Sequence, residues 1–311
     1  MTVHYFKSSD AGAPVLTGQT GALIELLDAC LVDGYGDLDP AGWEIAFSGT
    51  DKRVYRSSLI GGTRHYYRVR NDGAGPGTSQ FGYLTGYHDM TGVDTGSDPY
   101  PASGQRAHGV ALASANGTDA VPREWSIVAT EKTVFVFIAQ STSSSTLRIC
   151  SAFGEFSPAS PSDVGHAFVA GFGDDAIHAA AISALNRNAG APATHQSAYI
   201  ASDPSGASIS VEAGFGEAGK TGVGNYGGGG PPFPNPHITG AVLLPILVHD
   251  GLGIRGGLDH LFSPAHAHTT SYPLNDVEFT GLDGRRYCWQ RLWRYSGGSQ
   301  ADSAVVARIS E

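Results

Sequence analysis

Residues 208–230 read SISVEAGFGEAGKTGVGNYGGGG, and GFGEAGKT, Gly214 to Thr221, fits the phosphate-binding pattern G-x-x-x-x-G-K-[ST] at every position. Such a loop holds phosphate when a strand runs into the glycine turn and a helix starts at the Lys-Thr pair, adding its free amides and dipole. A strand can precede Gly214. The residues after Lys220, however, are TGVGNYGGGGPPFPNP, and that many Gly and Pro residues cannot form the helix. Asp250 could be claimed as a magnesium-side carboxylate, but Pro245 disrupts the segment leading to it and no helix separates it from the loop. Nucleotide binding is therefore not expected.

Three further constellations could carry chemistry. Gly171, Gly173 and Ala176 form a G-x-G-x-x-A outline of the dinucleotide kind. Asp174 and Asp175 would then face a pyrophosphate, and the next strand-ending acid, Asp203, lies about thirty residues on rather than about twenty. A turn and an Asp-capped helix over 174–190 fit better. His260, His266 and His268, with Asp259 adjacent, have the residue types of a zinc site. Pro264 implies a loop and the spacing fits no finger, so surface histidines are expected, with metal binding as the alternative. Arg285, Arg286, Arg291 and Arg294 alternate with Tyr287, Trp289, Trp293 and Tyr295. Single-stranded nucleic acid or a sugar could stack there, but an amphipathic edge strand is the simpler expectation. The acids Asp28, Asp33, Asp37 and Asp39 read as turn and cap residues and miss the EF-hand spacing. No G-x-S-x-G elbow occurs. No residue is assigned a catalytic, cofactor-binding or metal role, and no cofactor is expected.

The elements that would position these residues are mostly strands. One helix is expected in TGALIELLDACLVDG: Leu23, Leu27, Cys30 and Leu31 share a face, Thr20 caps the start and Gly34 ends it. The period then becomes two. In GWEIAF, Trp43, Ile45 and Phe47 are expected on one side, and the strands RVYRSS and HYYRVRND follow. EWSIVATEKTVFVFIAQS predicts a hairpin turning at Thr130–Thr133, whose second strand is apolar on both faces, as between two layers. TLRICSAF, 146–153, is another strand. SAYIASD and ASISVEA pair around a turn at 203–206, and AVLLPILV, RRYCWQRLWRY and AVVARIS complete the set. The fold class expected is α+β, predominantly β, with antiparallel sheets (a sandwich or meander), one N-terminal helix and an extended Gly/Pro arm at 214–240. Residues 1–155 form the helix and meander. Residues 156–311 form a β-rich second half that can share the same core.

Composition narrows the partners. Charged residues are 15% of the 311, against about 25% in ordinary soluble domains, and the net charge is −10. Such a chain repels nucleic acid and anionic membrane. The longest apolar run, AVLLPILV, is too short to span a bilayer, and the start MTVHYFKSSD has no secretory pattern. The three cysteines, Cys30, Cys150 and Cys288, are widely spaced and form no disulfide framework; Cys30 and Cys150 fit buried apolar positions.

Several segments, in order, resemble virion structural proteins of tailed bacteriophages, those coded in head and tail assembly modules. They are GAPVLTGQTGALIELLDACLVDGYG, GWEIAFSGTDKRVYRS, GYHDMTGVDTG at 86–96, FGEFSP at 153–158, PNPHITGAVLLPILV, and IRGGLDHLF at 254–262. The resemblance implies a non-enzymatic virion component, folded in the host cytoplasm. It would sit in the tail, baseplate, neck or head surface and act through contacts with copies of itself and other virion proteins. The segments are turns, strand ends and one helix, so no active-site residues carry over. A particle-borne glycan-binding or carbohydrate-active module, with Trp289, Trp293 and Tyr295 as stacking groups and a host glycan as partner, is the alternative.

Overall fold

Strand β9 (Thr133–Ser141) shows how the molecule is layered. Val134, Val136 and Ile138 face one hydrophobic cluster while Phe135 and Phe137 face another. A strand with apolar residues on both faces must lie between two packed layers, and the sequence TVFVFIAQS places it there. The structure is a computed structural model. It describes residues 2–59, 62–71, 82–104, 109–112, 120–141, 144–171, 198–210, 243–250, 253–264, 275–296 and 299–311. Within them the fold is α+β and predominantly β, with antiparallel sheets and one short helix.

The first layer is a small meander. β2 (Trp43–Gly49), β3 (Lys52–Ser57), β4 (Tyr66–Arg70), β5 (Gly82–Gly92) and β6 (Thr95–Tyr100) pair in chain order, and β7 (Val110–Leu112) adds to β5. The helix α1 (Ala22–Asp28), continued by a π-helical turn over Ala29–Asp33, buries Leu23, Leu26, Leu27, Cys30 and Leu31. It stops at Gly34, whose φ of 78° suits glycine. The N-terminus departs from expectation. Gly21 occupies the cap position without a side-chain cap, and the Leu23 amide donates instead to Asn71 Oδ1, 3.1 Å away and 48 residues on. A tertiary partner has replaced the local Thr20 cap. Phe47 also departs. A β-bulge between Ile45 and Phe47 shifts the register and turns Phe47 to the opposite face, against Tyr66 and Val93, while Trp43 and Ile45 stay in the core.

The second layer is a 13-stranded sheet that curls back on itself. β1 (His4–Lys7), β8 (Trp125–Ala129), β9, β10 (Ser144–Glu155), β12 (Ala167–Ala170) and β13 (Ala198–Ile200) pair in that order, and a short β11 (Ser157–Pro158) lies after β10. β14 (Asp203–Ser210), β15 (Leu243–Asp250), β16 (Gly253–Pro264), β19 (Ser299–Arg308), β18 (Arg286–Ser296) and β17 (Val277–Thr280) continue the path. β18 then meets β10 in parallel at Arg148–Leu292, closing β10 through β18 into a ring. Phe168, Ile200, Ile246, Val248, Leu258, Cys288 and Val305 fill its interior with Phe135 and Phe137. The cluster on the other side of β8–β13 runs from Phe6 to Tyr199 and includes the helix, Tyr67 and Leu84.

Four expectations are corrected here. The β13–β14 turn is at Ala201–Ser202, and Asp203–Gly206 belong to the strand. β15 runs through Pro245, which is accommodated by a register shift between Pro245 and Ile246. β16 carries His260 and continues to Pro264, so His260 is in a strand, not a loop. β18 is not an edge, because β17 and β19 flank it. The helix expected at 174–190 and the arm at 214–240 lie outside the described residues.

Candidate functional site

The most concentrated polar chemistry lies where the small sheet meets the large one. Glu155 ends β10, with its side chain 3% exposed. Its Oε1 accepts the Thr63 amide at 2.6 Å and the Thr63 hydroxyl at 2.8 Å, both from the loop leading into β4. Its Oε2 lies 3.4 Å from His166 Nε2. His166 Nδ1 is 2.6 Å from the Asp163 carbonyl oxygen and must donate to it. Both ring nitrogens therefore face acceptors, which fits an imidazolium. The facing Glu155 carboxylate accordingly raises the His166 pKa, against the opposing effect of burial. Burial pushes the Glu155 carboxyl up, but the hydrogen bonds from His166 and Thr63 outweigh it and hold it below its ordinary range.

Two imidazoles from the small sheet complete the junction. His65 Nδ1 is 3.0 Å from the Tyr100 hydroxyl, and the His65 and His88 rings are 4.4 Å apart. Burial, then the His88 charge, bring the His65 pKa down to about 4, so His65 is neutral near pH 7. Tyr100 reaches His65 because it lies across from Gly86, where a Cβ would overlap its ring. Tyr67 donates to the Gly154 carbonyl at 2.9 Å, a second tie from sheet to sheet. The side chain of His88 is exposed.

A second polar cluster sits inside the curled sheet. Arg148 is 2% exposed and makes a bidentate pair with Asp276, at 2.9 and 2.6 Å. Its Nη1 also donates to Ser126 Oγ at 2.7 Å and Gln290 Oε1 at 2.9 Å. Gln290 Nε2 and the Tyr5 hydroxyl donate to Asp276 Oδ1 at 2.8 and 2.7 Å. Burial pushes the Asp276 carboxyl up, and the Arg148 contacts more than reverse that. Strands β8, β10 and β18 and the residue before β17 are thus joined at one guanidinium, with β1 tied in through Asp276.

Beside the junction is a cleft of about 550 Å³. His88 of β5 forms one wall. The loop Ala159–Gly165, the turn at Ala201–Ser202 and Ile254–Arg255 of β16 form the others. Arg255 Nη2 and Nη1 contact Asp163 at 2.7 Å and Asp250 at 2.6 Å, fixing the loop to β15 and β16.

The residues singled out by type and spacing fare differently from these clusters. His260 is buried and accepts hydrogen bonds from Arg308; burial, then the Arg308 charge, lower its pKa to about 4. His266 and His268 lie outside the described residues, and no group of three metal-ligating side chains occurs among the described residues. Lys220 and the rest of Gly214–Thr221, and Gly173, Asp174, Asp175 and Ala176, are also outside them. Trp289 is 3% exposed and packs with Tyr287 and Val306, so its ring is not presented to a ligand. The side chains of Trp293 and Tyr295 are outside the described residues. Asp28 is no turn residue: it binds Arg53 Nε at 3.0 Å and the Tyr55 hydroxyl at 2.7 Å. Cys30, Cys150 and Cys288 are buried and form no disulfide, and no helix among the described residues is long and apolar enough to cross a membrane. Sequence reasoning passed over Arg148 and Glu155. The signal was a lone charge on an inward parity, Arg148 in register with Cys150 and Ala152, and Glu155 between Phe153 and Phe156.

Compared with known proteins, the chain matches no family model and no curated sequence.

Proposed function

We propose that the protein is a non-enzymatic structural component of a tailed-phage virion, acting through contacts with copies of itself and other particle proteins. The observation that carries this role is how the buried and half-buried ionisable groups are used. Arg148–Asp276, Glu155–His166, Arg255 with its two aspartates and Asp28–Arg53 each tie one segment of chain to another. Such ties make a rigid body, which subunit packing needs. Exposed Val15, Val121 and Leu282 offer apolar contact points on its surface. The low charge and the bacteriophage-like segments support the same role.

Light scattering on the purified protein tests the self-contact half of this role. A defined closed oligomer is expected across a hundredfold concentration range. A strict monomer at every concentration would count against it.

A further inference from the structure

We propose that the cleft between the two sheets is a binding site for a neutral saccharide of one or two rings. Its volume, about 550 Å³, falls in the range of small-ligand sites. Its walls are fixed before any ligand arrives. Asp163 Oδ1 accepts the Gly165 amide at 2.9 Å, and its Oδ2 accepts both Arg255 Nε and Nη2, at 3.0 and 2.7 Å. The Ala159 amide donates to the Arg255 carbonyl at 2.7 Å. Gly165 packs so closely on the β13–β14 turn that a Cβ there would come within 2.5 Å of Ser202 Cβ. A prebuilt cleft loses little affinity to ordering.

The lining selects the ligand class. Its guanidinium, Arg255, is matched by two carboxylates, so the described lining has no surplus positive charge for a phosphate or carboxylate. Ser160, Ser162 and Ser202 line the cleft, the hydroxyls of the first two bonded to each other at 2.8 Å with capacity for a further partner, and the exposed His88 ring can donate or accept. Val164 and Ile254, 81% and 53% exposed, put two aliphatic surfaces beside those polar groups. Hydroxyls, one imidazole and aliphatic flanks without net positive charge match a sugar ring, which has a hydroxyl periphery and C–H faces. This site is independent of the virion role and of Trp289.

Saturation-transfer NMR on the full chain tests it, with glucose, galactose, mannose and N-acetylglucosamine as probes and inorganic phosphate as the control. At least one sugar is expected to bind and phosphate is not. His88→Ala removes a wall group, and Ser162→Trp fills the cleft from an exposed position. Each is expected to weaken that sugar by about tenfold or more, the scale of one or two lost hydrogen bonds, with an unchanged melting temperature. The proposal is overturned if no sugar binds at millimolar concentrations, if phosphate competes equally, or if both folded variants bind as the wild type does.

Discussion

The two polar clusters in this fold are built from similar groups and behave differently. Around Arg148 the charges are permanent: the guanidinium stays protonated, and its contacts hold Asp276 ionised. The cluster is enclosed in the curled sheet and joins strands of that sheet only. Around Glu155, the His166 imidazole is held within the large sheet while the Thr63 amide and hydroxyl tie the carboxylate to the small one, and a cleft opens beside them. The first cluster is a fastener. The second is a fastener whose strength depends on pH and which borders a surface where a ligand can sit. Of the two clusters, the one at the contact between layers is the one that borders an open surface.

Breaking the first cluster is expected to have the largest effect. Arg148→Met leaves the half-buried Asp276 without its counter-charge and is expected to cost about 3 kcal/mol in urea unfolding. Adding Asp276→Leu should recover much of that loss, as removal of a whole buried pair does. If the single change is silent, the guanidinium is not the fastener described. At the other cluster, Glu155→Gln keeps an acceptor for Thr63 but removes the charge facing His166, and about 2 kcal/mol of destabilisation is expected from the same measurement.

The pH response separates the clusters further. The folded protein keeps His65 neutral down to about pH 4, whereas the unfolded chain takes up that proton near 6.5. The unfolded state therefore binds more protons between those values, so the His65 contribution is complete above pH 6.5 and lost as pH falls toward 4. His260 acts in the same window. Glu155, held below its ordinary value, loses its contribution as pH falls through its own lowered range. His166, raised by Glu155, works in the opposite sense and loses its contribution as pH rises. Relative to wild type, His65→Gln is expected to flatten the acid limb between pH 6.5 and 4 by about 2 kcal/mol. Arg148→Met is expected to change that limb in the sense opposite to the acid loss itself, because burial then raises the Asp276 carboxyl and its protonation on acidification relieves part of the cost.

Smaller effects test how the helix is held. Asn71→Ala should cost about 1 kcal/mol by removing the acceptor of the Leu23 amide. Thr20→Ala should be neutral, because no side-chain cap is made at that end.

That pair also marks where the sequence was legible. Apolar spacing located the helix, the β2–β4 meander and the two-faced strand β9, because burial imposes those periods directly. It failed where a tertiary event overrode a local pattern. A bulge turned Phe47 over, and a residue 48 positions away replaced Thr20 as the helix partner. Pro245 was absorbed by a register shift instead of ending its strand. The junction was harder still. Thr63 and His65 precede β4, His88 lies on β5, and Glu155 and His166 meet through the β10–β12 pairing; only the packing of one sheet on the other brings the two sets together. The motifs visible as strings, by contrast, drew attention to segments where neither cluster forms.

The role in assembly is tested most directly by quantitative mass spectrometry of purified phage particles from the producing host. The chain is predicted to be present in fixed stoichiometry with the other particle proteins and to resist salt washing. Abundant protein in the producing cells with none in the particles would contradict that role.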